Sequence, residues 1–210
     1  MPDDRMRTSI TDSAELRALV GEPLPMIANK ERPALDPHCR RFIELSPFLT
    51  IATTGADGHL DVSPRGDPPG FVKVVDERTI IIPERPGNRR ADTLMALMRN
   101  PGVAVMFLVP GVEEVLRLSG RAEVIRDAGV LASMAVNGKP PKLGIKIAIE
   151  HVFFHCGKAL TRSRMWQPDT HIKRDQYASF GEIIHDQRMS DEPPAAINQR
   201  IQKSYKNDLY

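Results

Sequence analysis

The sequence has 210 residues, enough for one domain with a substantial hydrophobic core that needs no disulfide or metal. Its 29 basic and 27 acidic residues give a net charge of +2, which argues against nucleic acid or an anionic membrane as the main partner. Cys39 and Cys156 lie far apart, so neither a disulfide framework nor a zinc site is expected. The charged N-terminal segment and the lack of a long apolar stretch predict a cytoplasmic protein.

Helices are predicted at the beginning of the chain. Capping residues at 11–13 predict a helix that runs to Val20. Asp36 as a cap and Pro37 at the first position predict a second helix that ends near Leu45. We therefore assign residues 1–35 to an N-terminal helical arm and expect the second helix to pack on the sheet that follows.

The middle of the chain is rich in β-branched residues and turn signals. Three hairpins are predicted: 48–54 with 59–64, 71–75 with 79–83, and 103–109 with 114–125. One further strand is predicted at 146–154. Two helices are predicted between them, one at 89–99 with Asn88 as its cap and one at 127–136. The pattern predicts an antiparallel β-barrel of six or more strands with peripheral helices, over residues 36–166. The polar residues 167–210 predict a surface helix and tail, packed on the barrel or on a dimer.

Arginines stand beside glycine turns in the segments SPRGDPPGFV and IIIPERPGNRRADTL. Arg65 would project from a strand, whereas Arg89 and Arg90 would open the predicted helix. The helix dipole disfavours basic residues in the first turn unless an anion compensates, and guanidinium groups bind phosphate well. The pattern therefore predicts a site for a phosphate-bearing cofactor. Alternatively, Arg65 is an ordinary surface residue and Asp92 neutralises the arginine pair.

A second basic cluster lies in the segment HCGKALTRSRMW, which contains the only tryptophan. Lys158 or Arg162 could polarise an electron-rich ring, and Trp166 could pack beside it, but an amphipathic surface helix also fits. His155 and Cys156 are adjacent in a predicted strand and would face opposite ways, so we do not expect them to act together. No glycine motif of the Rossmann or P-loop type is present.

Taken together, these segments resemble the pyridoxamine 5′-phosphate oxidase-like superfamily, in a bacterial branch of FMN-dependent enzymes. The resemblance extends from Phe42 to Trp166 and includes NPGVAVMFLVPGVEEVLRLSGRAEV as well as the segments above. It implies a mainly β fold (β + α), namely an FMN-binding antiparallel split β-barrel. It also implies a homodimer with flavin sites at the subunit interface.

The resemblance further implies FMN as cofactor and a set of residues that bind it. The phosphate would be held by the three arginines, the end of the strand before Arg85 would follow the flavin's pyrimidine edge, and the second basic cluster would reach the partner's flavin. No metal is implied and no catalytic side chain is assigned. The implied cofactor-binding residues are Ser63, Arg65, Pro83, Glu84, Asn88, Arg89, Arg90, Lys158, Arg162 and Trp166.

The expected function is that of an FMN-dependent oxidoreductase that transfers hydride between flavin N5 and an unidentified small molecule, with NAD(P)H as a candidate donor. Two departures from the oxidase stand out. Its motif for pyridoxal phosphate is missing after Trp166, and Val115 replaces a glutamine, so oxidation of vitamin B6 is not expected. The alternatives are an F420-dependent reductase and a non-enzymatic module for flavin or haem, with His155 or Cys156 as the axial ligand of haem.

Overall fold

The structure is a computed structural model that describes residues 9–210, and the chain divides into two compact units, Met1–Glu31 and Arg32–Tyr210. The first unit contains the helices α1 (Ser13–Val20) and α2 (Pro25–Ala28), neither of which has a buried residue. Asp12 caps α1 by accepting hydrogen bonds from two backbone N–H groups. The predicted arm at 1–35 therefore begins outside the described residues, and the boundary between the units falls after Glu31.

The second unit is built on one antiparallel sheet of seven strands, which confirms the predicted split β-barrel. The sheet order is β2-β1-β5-β6-β7-β4-β3, so β2 and the very short β3 stand at its two ends. The strands are β1 (Phe48–Thr54), β2 (Leu60–Gly66), β3 (Lys73–Val74), β4 (Thr79–Glu84), β5 (Gly102–Leu108), β6 (Val115–Ile125) and β7 (Leu143–His155).

One face of this sheet forms the core, because apolar side chains alternate along the strands. Leu49 and Ile51 on β1, and Phe107 on β5, are completely buried. A β-bulge interrupts the pairing of β6 with β7 at Gly120, where a Cβ atom would lie 2.0 Å from the carbonyl oxygen of Ala148. Only glycine allows the two strands to approach this closely.

Six helices surround the sheet, namely α3 (Pro37–Leu45), α4 (Asp92–Leu97), α5 (Ala128–Ala132), α6 (Lys158–Ser163), α7 (Phe180–Asp186) and α8 (Pro194–Asn207). The predicted cap of α3 is confirmed, since the Asp36 carboxylate accepts a hydrogen bond of 2.8 Å from the backbone N–H of Cys39. That bond lowers the pKa of Asp36. Burial raises the pKa of the Cys39 thiol to about 11, so the thiol stays neutral in the core.

The end of the chain is more ordered than the predicted surface helix and tail. Helices α7 and α8 pack together, and the backbone N–H of Gly181 donates to the side chain of Asn198 at 2.8 Å. Ile197 of α8 is 1% exposed. No helix in the described part of the chain is both long and apolar enough to cross a membrane.

Candidate functional site

A cavity of about 420 Å³ lies between β2 and the end of β4, and we call it the arginine cavity. Its walls are β2, the last residues of β4, and the segment that leads into α4. Because β2 stands at one end of the sheet and β3 pairs only with Ile80 and Ile81, backbone pairing leaves this gap open among the described strands. The sequence-predicted residues that line it are Ser63, Arg65, Pro83, Glu84, Asn88 and Arg90.

Arg65 is held by neighbours on both sides of the gap. One terminal nitrogen donates to the Ser63 hydroxyl and to the carbonyl of Pro64. The other lies 3.2 Å from a carboxylate oxygen of Glu84, and the two side chains are 14% and 26% exposed. Arg65 Nε is buried without a hydrogen-bond partner. The guanidinium group is therefore oriented but retains hydrogen-bonding capacity.

The predicted helix at 89–99 is wrong at its beginning. Helix α4 starts at Asp92, after Arg89 and Ala91 have adopted φ angles of 62° and 59°. The Asn88 side chain does not cap the helix but accepts a hydrogen bond of 3.0 Å from the backbone N–H of Arg90. The arginine pair thus lies in a loop, and the helix-dipole argument for its function does not apply.

The two arginines of this loop differ in their surroundings. Arg90 lines the cavity and its Nε donates to the Asp92 carboxylate at 2.7 Å, which raises the pKa of Arg90. The sequence alternative in which Asp92 neutralises the pair therefore holds for Arg90. Arg89 is exposed and does not line the cavity.

Four residues that the sequence analysis did not assign belong to the site or support it: Arg85, Thr93 and Asp61 line the cavity, and Asp67 lies outside it. Arg85 donates to Asp67 at 2.6 Å, and Thr93 donates to Asp61 at 3.1 Å. For Asp67 and Arg85 the available signal was the charged residue next to each Pro/Gly turn, in GDPPG and ERPG, whereas Asp61 and Thr93 have no such signal in the sequence. In total, three arginines and three carboxylates line the cavity, and each of the arginines is paired with a carboxylate.

The second basic cluster lies elsewhere. Lys158 and Arg162, on α6, are exposed and do not line the arginine cavity. Trp166 is half-buried and its indole N–H donates to the carbonyl of Val112 at 2.8 Å, which fixes the chain after α6 to the β5–β6 loop. The structure therefore does not bring these three residues together with the other predicted cofactor-binding residues.

His155 and Cys156 line a different cavity of about 510 Å³, on the outer face of the sheet. The prediction that the two side chains face opposite ways is therefore wrong. Strand β7 ends at His155, so the alternation of side chains does not extend to Cys156. Within residues 9–210, no cluster of histidine, cysteine or acidic side chains could hold a metal ion.

The family model for pyridoxamine 5′-phosphate oxidase matches residues 35–156, which is more than half of the chain. The chain belongs to the pyridoxamine 5′-phosphate oxidase family. This confirms the resemblance inferred from the arginine segments. Among curated proteins, none matches the sequence.

Solved structures with a similar fold cover a little over half of the chain. HupZ of Group A Streptococcus is 19% identical over 57% of this chain and 93% of its own, with a TM-score of 0.47. An F420 reductase is 16% identical over 55% and 94%, with a TM-score of 0.42. HutZ, a heme storage protein from Vibrio cholerae, is 18% identical over 58% and 94%, with a TM-score of 0.41. At these scores the similarities carry no functional argument.

Proteins of the pyridoxamine 5′-phosphate oxidase family typically bind flavin or a related cofactor. The donors around the arginine cavity fit the phosphate of such a group. Arg65 and Arg90 supply permanent positive charge, and the Ser63 hydroxyl and the Asn88 amide supply neutral donors. The buried, unpartnered Nε of Arg65 is a further donor at the edge of this set.

Proposed function

We propose that this protein binds FMN in the arginine cavity and acts as an FMN-dependent oxidoreductase on a small molecule. The observation that carries the proposal is the convergence of Ser63, Arg65, Asn88 and Arg90, from two separate segments, on one cavity. Its volume of about 420 Å³ falls within the range of cofactor sites. Membership of the family supports the same conclusion.

In this proposal the cofactor supplies hydride transfer and the chain supplies binding and orientation. Arg65 and Arg90 would hold the phosphate, with Ser63 and Asn88 as additional donors. The unpaired backbone edge after Ile81 offers hydrogen-bonding groups to a planar ring. Phe71 and Leu94 add an apolar wall that excludes water.

Binding would require an exchange of partners inside the cavity. The Glu84 carboxylate forms an ion pair with a terminal nitrogen of Arg65, and the Asp92 carboxylate forms one with Arg90 Nε. A phosphate dianion carries more charge than either carboxylate and can displace it, because both carboxylates are partly exposed and can turn toward water. The exchange favours ligands with a dianionic group over neutral ligands.

We also propose that a second copy of the chain covers the outer face of the sheet. The cavity of about 510 Å³ on that face is lined mainly by apolar residues of β1, β5 and β6, together with the oppositely charged Glu113 and Arg117. A twofold axis can pair such charges between two identical surfaces. Helix α6 borders this face, so Lys158 and Arg162 would lie near the partner.

The test is a titration of FMN and riboflavin into the wild type and the Arg65→Ala variant, followed by flavin fluorescence. Loss of one charge-assisted hydrogen bond is expected to weaken FMN binding by about 1.5–3 kcal/mol. Riboflavin, which lacks the phosphate, should bind both proteins equally. Arg78→Ala, in the exposed β3–β4 turn, is the matched control and should bind FMN like the wild type.

The absorption spectrum of the same samples distinguishes the alternative cofactors. Flavin bands that bleach when NADH or NADPH is added without oxygen would support the oxidoreductase. An FMN affinity that does not respond to Arg65→Ala would refute the site. Uptake of F420 or haem instead of FMN by the wild type would refute FMN as the cofactor. The candidate haem ligand His155 lines the other cavity, so haem would bind there.

A further inference from the structure

The segment 85–93, which we call the phosphate loop, is attached to the β2 region at both of its ends. At its beginning, Arg85 Nε donates to the Asp67 carboxylate at 2.6 Å. At its far end, the Thr93 hydroxyl donates to Asp61 at 3.1 Å, and Thr93 is 3% exposed. Asp61 lies in β2 and Asp67 directly follows it. The arginine cavity occupies the space between the two attachments.

The attachment at Asp67 is deeply buried and fully paired. The Asp67 side chain is 1% exposed, and its second carboxylate oxygen accepts a hydrogen bond of 2.6 Å from the Tyr210 hydroxyl. Arg85 is 15% exposed and also donates to the carbonyl of Met134 at 3.0 Å. A carboxylate buried to this extent is stable only when it is paired and hydrogen-bonded.

Tyr210 touches both members of the pair without lining the arginine cavity. Its ring lies 5.5 Å from the central guanidinium carbon of Arg85, a cation–π distance. Its backbone oxygen accepts a hydrogen bond of 3.0 Å from the Lys139 ammonium group. The hydroxyl, the ring and the backbone of Tyr210 are thus each held in place.

The phosphate loop needs such support because its backbone is strained. Arg89 and Ala91 both have left-handed φ angles, at 62° and 59°. This conformation is unfavourable for residues other than glycine, and it persists where the surroundings over-determine it. Attachment at both ends therefore fixes the positions of Asn88 and Arg90.

We propose that Asp67 and Tyr210 are positioning residues for phosphate recognition: they hold Arg85, and through it the phosphate loop, at the distance from β2 that a phosphate group requires. The inference rests on the proposed function, because it assumes that the loop binds the phosphate of FMN. Neither residue lines the arginine cavity. Their effect is transmitted by Arg85, which lines the cavity.

The experiment compares Tyr210→Phe with the wild type. The variant keeps the ring over Arg85 and loses only the hydroxyl that donates to Asp67. We expect its Kd for FMN to rise about three- to tenfold, which corresponds to one hydrogen bond, with the Kd for riboflavin unchanged. Asp67→Asn should act in the same direction and more strongly. Tyr205→Phe, at a tyrosine of α8 that is 58% exposed, is the matched control and should change neither affinity.

A second measurement needs no ligand. Amide hydrogen exchange in 85–93 is expected to be faster in Tyr210→Phe than in the wild type and in Tyr205→Phe. Unchanged exchange, or an equal loss of affinity for FMN and riboflavin, would overturn the positioning role. If the wild type does not bind FMN at all, the proposed function fails, and the exchange rates then decide by themselves whether Tyr210 holds the loop.

Discussion

At the scale of single residues, the ion pair with Glu84 limits how readily Arg65 can bind a ligand. The two side chains form an ion pair across the gap between β2 and β4 at 3.2 Å, and Glu84 retains 26% exposure. A phosphate that binds Arg65 must compete with this carboxylate. Glu84 is thus expected to be a competitor inside the site and a source of selectivity for dianions.

Replacement of Glu84 by Gln tests this expectation. The amide has nearly the same shape as the carboxylate but no charge, so it no longer competes with the FMN phosphate for Arg65. FMN affinity should therefore rise about two- to fivefold, the range for a partly exposed ion pair. Riboflavin affinity should stay unchanged. Isothermal titration calorimetry measures both, with Glu77→Gln in the exposed β3–β4 turn as control. Weaker FMN binding in the Glu84 variant would mean that Glu84 orients Arg65 for the ligand.

The sequence could predict six of the residues that line the cavity but not how they are paired. Ser63 and Arg65 are recognisable because a strand and a Pro/Gly turn adjoin them, which is local information. The pairs Arg65–Glu84 and Arg85–Asp67 exist only because β2, at one end of the seven-stranded sheet, approaches β4, which lies next to the short β3 at the other end. That approach is set by strand order, which no short segment encodes.

At the scale of elements, two helices show where local signals suffice. Helix α3 begins where Asp36 and Pro37 predict, since both its cap and its apolar face are local features. Helix α4 does not begin where Asn88 predicts. There the contacts of Thr93 with Asp61 and of Arg85 with Asp67 pull the chain into left-handed conformations before the helix can start. Tertiary attachment overrides the capping preference.

The cap of α3 makes a prediction that depends on pH. Asp36→Ala should lower the free energy of unfolding by about 1 kcal/mol at pH 7. Because the hydrogen bond from the Cys39 N–H lowers the pKa of Asp36 below 3.8, the stabilisation is present above that pH and is lost as the pH falls through the folded-state pKa. Urea unfolding from pH 7 to pH 3.5 should show the difference from the wild type shrinking at the acid end.

Asp12→Ala is the matched control for this cap. Asp12 caps α1, which has no buried residue, so its removal should leave global unfolding almost unchanged. A difference between wild type and Asp36→Ala that stays constant down to pH 3.5 would contradict the assigned role of the carboxylate.

At the scale of the whole molecule, the barrel domain has two separate cavities on different surfaces. The gap between β2 and β4 holds the arginine cavity, and the outer face of β1, β5 and β6 holds the apolar cavity bordered by α6. The sequence predicted the first from its arginines. It implied the second only through the family resemblance, because apolar residues on both faces of a strand do not reveal which face meets solvent and which meets a partner.

Met106→Glu tests whether the apolar face is an interface between two copies. Met106 lines that cavity from β5 and stands opposite Arg117 of β6, so a glutamate there would have to be desolvated in the dimer, at a cost that an ion pair with Arg117 offsets only in part. We expect sedimentation velocity to show a dimer for the wild type and a monomer for the variant. Met189→Glu, at a methionine that is 67% exposed and lines neither cavity, is the control and should remain dimeric.

The same variant connects the interface with the cofactor. If Lys158 and Arg162 complete the flavin site of the partner, monomeric Met106→Glu should bind FMN more weakly although its arginine cavity is intact. Lys158→Ala should then weaken FMN binding in the wild-type background and have no effect in the Met106→Glu background, because a monomer has no partner flavin to reach. A monomeric wild type would refute the interface, and a Lys158 effect of equal size in both backgrounds would place that lysine at its own subunit's site.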